Sequence, residues 1–250
     1  MGFHPESEDL SRRRPYQYTQ PGVPINKGDS LNHSSRKRGS EERQSLRLPG
    51  RLGRLSLSRP GSAETLLDLL DPADPESESL IPYWADAWPS AEGLLRFLAS
   101  PKGPRMRGRG LEIGAGLGIL GMGALRMGWN LELSDFHPDS LYWLRLNLAA
   151  NGFEVKRALG LDWREPPPKR WPVILASDIL YEAPFAADLA KFLGAVLEPG
   201  GKAWIAEPGR SVAEAGIELL SRRFTLRIHR SRSRAEGSWK PIRVIELRAP

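Results

Sequence analysis

The chain has 250 residues, enough for one large domain with tails, and at 40% hydrophobic it can bury a sizeable core, which excludes a wholly disordered protein. It contains no cysteine, so disulfides, thiolate metal sites, iron–sulfur clusters and a cysteine nucleophile are excluded together. The net charge of +6 lies in residues 1–60, where 12 basic residues face 6 acidic ones, while residues 61–250 balance at 24 of each.

Residues 1–43 are rich in Arg, Ser, Pro, Gln and Asn and lack apolar periodicity, so a disordered basic tail is expected. Such a tail is either a solvated extension or a contact for RNA or an acidic partner. Glu6, Glu8 and Asp9 argue against a transit peptide, and no apolar stretch follows to make a secretory signal. No apolar run approaches the roughly 20 residues of a membrane span. The four histidines, at positions 4, 33, 137 and 229, are too scattered for an obvious metal cluster. A soluble, cytoplasmic, monomeric protein with no membrane partner and no metal is expected.

Residues 44–80 read as an extension. Leu46, Leu48, Leu52, Leu55 and Leu57 suggest a short strand or hairpin, and residues 63–70 a helical turn or two, stopped at Asp71-Pro72. The main domain is expected over 81–250. Pro89 suits a first helical turn, and Ala91, Leu94, Leu95 and Leu98 keep helical spacing. Strands are predicted at 110–113, 130–134, 154–159, 172–177 and 202–206, and helices at 117–128, 138–150 and 183–197. Asn151-Gly152 and Pro199-Gly200-Gly201 punctuate two helix ends. Ser211 and Glu214 have the spacing of a capping box. Phe224, Leu226 and Ile228 alternate, Glu236-Gly237 turns, and Ile242 to Leu247 returns as an antiparallel hairpin. Alternating strands and helices imply an α/β fold, doubly wound, with a mostly parallel sheet covered by helices on both faces.

The segment LEIGAGLGILGMG (111–123) follows a short strand and opens a helix. Gly116, Gly118 and Gly121, with Asp135 further on, fit a dinucleotide fingerprint. Glu112 with Gly114, Gly116 and Gly118 fits equally the nucleotide loop of S-adenosylmethionine-dependent methyltransferases, and a plain tight turn is a third reading. A pyrophosphate prefers backbone N–H groups and a helix N-terminus. An acid beside the loop repels it and complements the ammonium and sulfonium of S-adenosylmethionine, so Glu112 favours the second reading.

Five segments occur in order: IPYWADAWPSAEGL (81–94), LEIGAGLG (111–118), LSDFHPDSL (133–141), LDW (161–163) and ASDILYE (176–182). Together they resemble the seven-strand, Rossmann-like methyltransferases of the branch that contains many protein-lysine methyltransferases. The resemblance covers about residues 46–250, and the Asp-x-x-Tyr element formed by Asp178 and Tyr181 is its most specific mark. It implies S-adenosyl-L-methionine as cofactor, held at the glycine loop by Glu112, Gly114, Ala115, Gly116 and Gly118. It also implies Asp135 at the ribose, Asp162 and Trp163 at the adenine, and Trp88 and Ser177 lining the pocket. Asp178 and Tyr181 are the implied catalytic pair, facing the transferred methyl group. Trp88 and Trp163 as core aromatics, Asp162 as a turn residue and Asp178 as a helix cap are the alternative roles. After the fifth strand, Glu207 and Arg210 either border the substrate entrance or belong to a solvated loop.

Protein-lysine methylation is the expected function. Methylation of a small molecule or nucleic acid on the same scaffold is the alternative, because fold does not fix substrate. A non-catalytic S-adenosylmethionine-binding protein is a third reading, for which an intact Asp-x-x-Tyr element would be unneeded.

Overall fold

The computed structural model describes residues 41–61, Leu66, 82–104, 108–181, 185–235 and 237–250. The expected tail up to residue 40 and most of the expected turns over 63–70 lie outside these residues.

Seven strands form the main sheet: β3 (Arg109–Ile113), β4 (Asn130–Asp135), β5 (Ala158–Gly160), β6 (Trp171–Ser177), β7 (Leu197–Glu207), β8 (Thr225–Ala235) and β9 (Ser238–Arg248). Their order is β5-β4-β3-β6-β7-β9-β8. β3 to β7 are parallel, and β9 enters antiparallel between β7 and β8. Helices α1 (Pro89–Leu98), α2 (Ile119–Arg126) and α3 (Pro138–Ala150) cover one face, and α4 (Phe185–Val196) and α5 (Val212–Ser221) the other.

Strand alternation sorts the two cores. Leu111 and Ile113 of β3 join Leu189, Phe192, Leu193 and Ile217 on the α4–α5 face. Leu131 and Leu133 of β4 join Leu94, Leu95, Leu120 and Leu144 on the other. A separate two-stranded sheet, β1 (Glu42–Arg47) and β2 (Arg54–Arg59), buries Leu55 and Leu57 against that second cluster. Side chains lock it to the helices. Arg126 donates to the carbonyls of Leu52 (2.7 Å) and Arg54 (2.8 Å), and buried Asn147 accepts from the Ser58 N–H (2.7 Å) while donating to the Leu117 carbonyl (3.1 Å). The hairpin is therefore bonded, through Asn147, to the turn that precedes α2.

Three local expectations are revised. Of the strand expected over 154–159, Val155–Arg157 wind into a 3-10 turn, and only Ala158–Gly160 pairs with β4. Val155 is exposed, so the alternation that suggested a longer strand has no core to face there. β7 is longer than 202–206 because it pairs with β6 across a register irregularity, Trp171 opposite Leu197 and then Val173 opposite Lys202. The capping box at Ser211 does not form. Ser211 is itself helical (φ −60°, ψ −35°) and makes no cap bond, and Glu214 instead pairs with Arg243 (2.5 Å).

Candidate active site

β3 lies between β4 and β6, so the chain leaves it in opposite directions on the two sides. In an open parallel sheet this switch point opens a crevice outside the carboxyl ends of the strands. The loop after β3, the ends of β4 and β5, and the turn after β6 all meet there.

The loop is shaped by left-handed glycines. Gly114, Gly116 and Gly118 have φ of 62°, 52° and 82°, a region that costs other residues strain. Space is limiting as well. A Cβ on Gly116 would stand 3.1 Å from the Trp84 carbonyl, one on Gly114 would stand 2.9 Å from Ile179 Cγ2, and one on Gly118 would overlap Leu144. The loop is pinned to β4 when the Ala115 N–H donates to the Ser134 carbonyl (2.9 Å). Asp135, ending β4, accepts the Gly116 N–H at Oδ2 (2.9 Å) and the His137 N–H at Oδ1 (3.0 Å). Phe136, next in sequence, is 45% exposed. Trp163 lies beside Gly114, 3.8 Å from where a Cβ would sit. Asp162 is turned to Arg164 and accepts from its guanidinium (2.5 Å) and its N–H (2.9 Å).

Glu112 is placed differently from its neighbours in the motif. It points from β3 to the α2 face, fully buried beneath the loop, and a Cβ on Gly121 would overlap its Oε2. Burial pushes its carboxyl well above the ordinary range, and hydrogen bonding to the Gly121 backbone only partly offsets this. Oε2 has no hydrogen-bond partner of good geometry. Glu112 thus packs beneath α2 beside Gly121.

The other half of the crevice is made of side chains. Asp178 follows β6 in a left-handed conformation (φ 57°), its N–H fixed to the Ala206 carbonyl (2.8 Å). Its carboxylate meets the start of α1, where Ser90 N–H donates to Oδ2 (3.1 Å) and Ser90 Oγ donates to Oδ1 (3.0 Å). Arg210 Nη1 forms an ion pair with Oδ1 at 3.1 Å. Burial raises the Asp178 carboxyl, while Arg210 and Ser90 pull it back down. Arg210 also lies over the Trp88 ring, 5.6 Å from its centroid. Trp88 donates its Nε1–H to the Tyr83 carbonyl (2.7 Å), and the Tyr83 ring stands 5.0 Å from that of Tyr181, which lies 5.6 Å from Phe185. Ser177 is half-buried at the end of β6, opposite Ala206.

The fold therefore gathers Gly114, Ala115, Gly116, Gly118, Asp135, Asp162 and Trp163 on one side of the crevice, and Trp88, Ser177, Asp178 and Tyr181 on the other. Ser90 and Tyr83 lie in the 81–94 segment of the resemblance, which assigns them no role, and their roles follow from contact across distant segments. Arg210, which the sequence placed either at the substrate entrance or in a solvated loop, is a partner of Asp178. Among the described residues no group of three or more His, Asp or Glu could hold a metal ion.

A family model described as lysine methyltransferase matches residues 84–217, more than half of the chain. The chain belongs to the lysine methyltransferase family. Its matched span takes in the glycine loop, Asp178 and Arg210. An electron transfer flavoprotein beta subunit lysine methyltransferase of Xenopus laevis is 32% identical over 137 residues, 52% of this chain. The match spans about half (54%) of that relative's length. Among solved structures, a T. thermophilus 16S rRNA N2 methyltransferase in complex with AdoMet and guanosine superposes with a TM-score of 0.58 at 20% identity, covering 84% of this chain and 51% of that one. A glycopeptide N-methyltransferase complexed with S-adenosyl-L-homocysteine gives 0.52 at 19% identity, covering 71% and 98%. These likenesses establish the Rossmann-like methyltransferase fold.

Proposed function

We propose that the protein transfers a methyl group from S-adenosyl-L-methionine to a lysine side chain of a protein. The observation that carries this reading is the Asp178 site. A buried carboxylate, backed by Ser90, sits at the switch point beside the glycine loop and already holds a cation that lies over the Trp88 indole. Family membership and the Xenopus relative support an amine acceptor.

The residues fit the cofactor. The left-handed glycines bring backbone close to the crevice, and Asp135 keeps accepting capacity for ribose hydroxyls beyond its two backbone bonds. Phe136 and Trp163 offer apolar faces and Asp162 an acceptor for the adenine end, while Trp88 and Ser177 line the crevice toward Asp178. Glu112 and Ala115 act by fixing the loop's course. When bound, S-adenosyl-L-methionine supplies a methyl group on a positive sulfonium.

Asp178 captures the acceptor ammonium, and Tyr181 flanks it. A free lysine has a pKa of about 10.4 and must lose a proton before its lone pair can attack. Burial and nearby positive charge favour that loss, whereas Asp178 opposes it, so Asp178 orients the amine and the proton leaves to water or through the Tyr181 hydroxyl. With the cofactor leaving as S-adenosyl-L-homocysteine, the amine held at Asp178 would accept the methyl carbon, and its alignment would supply most of the acceleration.

The test is radiolabelled methyl transfer into a lysate of the source organism, comparing wild type with Asp178→Ala, before and after protease or nuclease. Label that only the wild type introduces and that protease removes is expected. Label removed by nuclease, or retained in the small-molecule fraction, overturns the protein-substrate reading.

A further inference from the structure

The cation held by Asp178 in this structure is one of the chain's own. The Asp178 side chain is only 5% exposed, and Arg210, 27% exposed, covers it at 3.1 Å while lying over Trp88. A carboxylate combined with an indole face is a cation receptor. One buried carboxylate cannot hold two cations at contact distance without strong repulsion between them. Repulsion between the two cations favours entry of an acceptor ammonium at Asp178 as the guanidinium leaves.

Arg210 is able to leave without disturbing the strand below it. Glu207 Oε2 accepts the N–H groups of Gly209 (2.7 Å) and Arg210 (3.0 Å), which fixes the backbone, and Gly209 (φ 91°) has open space around it. The displaced guanidinium stays charged, and an incoming carboxylate can pair with it. Among the described residues, Glu207 and Glu214 are engaged by Arg243, and Glu92 by Arg96 and the Arg234 N–H. An acceptor that carries its own carboxylate supplies such a partner.

A second observation points the same way. The last pair between β7 and β9 is Glu207 with Arg243, so Ser231–Ile242 of the β8–β9 hairpin project past this end of the sheet, and Ser231 Oγ bonds the Gly93 carbonyl on α1 (2.7 Å). Residues 230–240 (RSRSRAEGSWK) hold four basic residues and one acidic. Among the described residues Arg230, Arg232, Arg234 and Lys240 are exposed and have no ion pair. Trp239, 47% exposed, has the Arg96 and Arg232 guanidiniums 4.7 and 4.3 Å from its ring centroid. Such a rim attracts an acidic segment.

We propose that the acceptor is a lysine set next to acidic residues, and that Arg210 exchanges Asp178 for one of those carboxylates as the lysine enters. This rests on the lysine reading above and names the sequence context that the site selects. Three labelled, capped pentapeptides test it by fluorescence anisotropy at low salt with the full chain: Gly-Glu-Lys-Glu-Gly, its Gln-Lys-Gln counterpart, and a Glu-norleucine-Glu version. Wild type is expected to bind the Glu-Lys-Glu peptide about tenfold or more tighter than Gln-Lys-Gln, and Arg210→Gln to shrink that margin to about threefold or less. Arg210→Met, checked by its melting curve, is a second variant should the first misfold. Equal binding of the two lysine peptides by wild type, or a margin that both variants leave intact, overturns the exchange. If norleucine replaces lysine without loss, the lysine reading itself fails. If none of the three binds, both fail. A single-stranded RNA oligonucleotide that displaces the Glu-Lys-Glu peptide and binds more tightly reassigns the basic rim to nucleic acid.

Discussion

The two sides of the crevice are built from different materials. The side after β3 is backbone, with three left-handed glycines whose course is held by N–H bonds to Asp135 and to the Ser134 carbonyl. The side after β6 is charge, a buried carboxylate joined to Ser90 and Arg210 from segments 88 and 32 residues away. Backbone cradles are rigid and tolerate little substitution. Ion pairs between side chains can exchange partners, which suits a site that must admit one cation in place of another.

Breaking each side should fail in a different way. Asp178→Ala should lower methyl transfer by about 100-fold or more while changing cofactor affinity little, read by label incorporation and by calorimetry. A parallel loss of cofactor affinity would erase the distinction between the two sides. Gly118→Ala should act on the fold. A strained left-handed conformation plus overlap with Leu144 should cost about 2–4 kcal/mol in urea unfolding. Asp135→Ala should spare the fold more and weaken cofactor binding about tenfold, since it removes the acceptor that holds the Gly116 N–H and that we propose meets the ribose.

The pH dependence of stability sharpens the comparison. Glu112 is an acid whose folded-state pKa is raised, so the folded state binds more protons than the unfolded chain above about pH 4.3. Its contribution is intact below that pH and is lost as pH rises toward the folded value. Glu112→Gln should therefore remove that decline, and the gap in melting temperature between variant and wild type should widen from acid to neutral pH. Ser90→Ala should have the smallest effect, about 1 kcal/mol, because the Ser90 N–H still donates to Asp178 when the hydroxyl is gone.

What was legible in the sequence follows the same division. Glycine spacing, an acid ending the second strand and apolar runs are local signals, so β3, β4, β6, the loop and Asp135 could be placed from sequence. The loop's tight contacts with Trp84, Ile179 and Leu144 explain why those glycines cannot be other residues. The sequence could not give Ser90, Tyr83 and Arg210 their roles, because each gains its role from a contact that only the sheet order creates. Local rules also failed where tertiary contacts outcompeted them: Glu214 had the spacing to cap α5 and pairs with Arg243 instead. The sequence placed Glu112 correctly beside the loop, but a spacing cannot tell which face of β3 its side chain takes.

The central claim is that an amine captured at Asp178 receives the methyl group. Amino-acid analysis of protein labelled from radioactive S-adenosyl-L-methionine tests it most directly. The account predicts methyl-lysine in the wild-type reaction and about 100-fold less, or lower still, with Asp178→Ala. Label on another residue type, or equal methyl-lysine from both proteins, would contradict it.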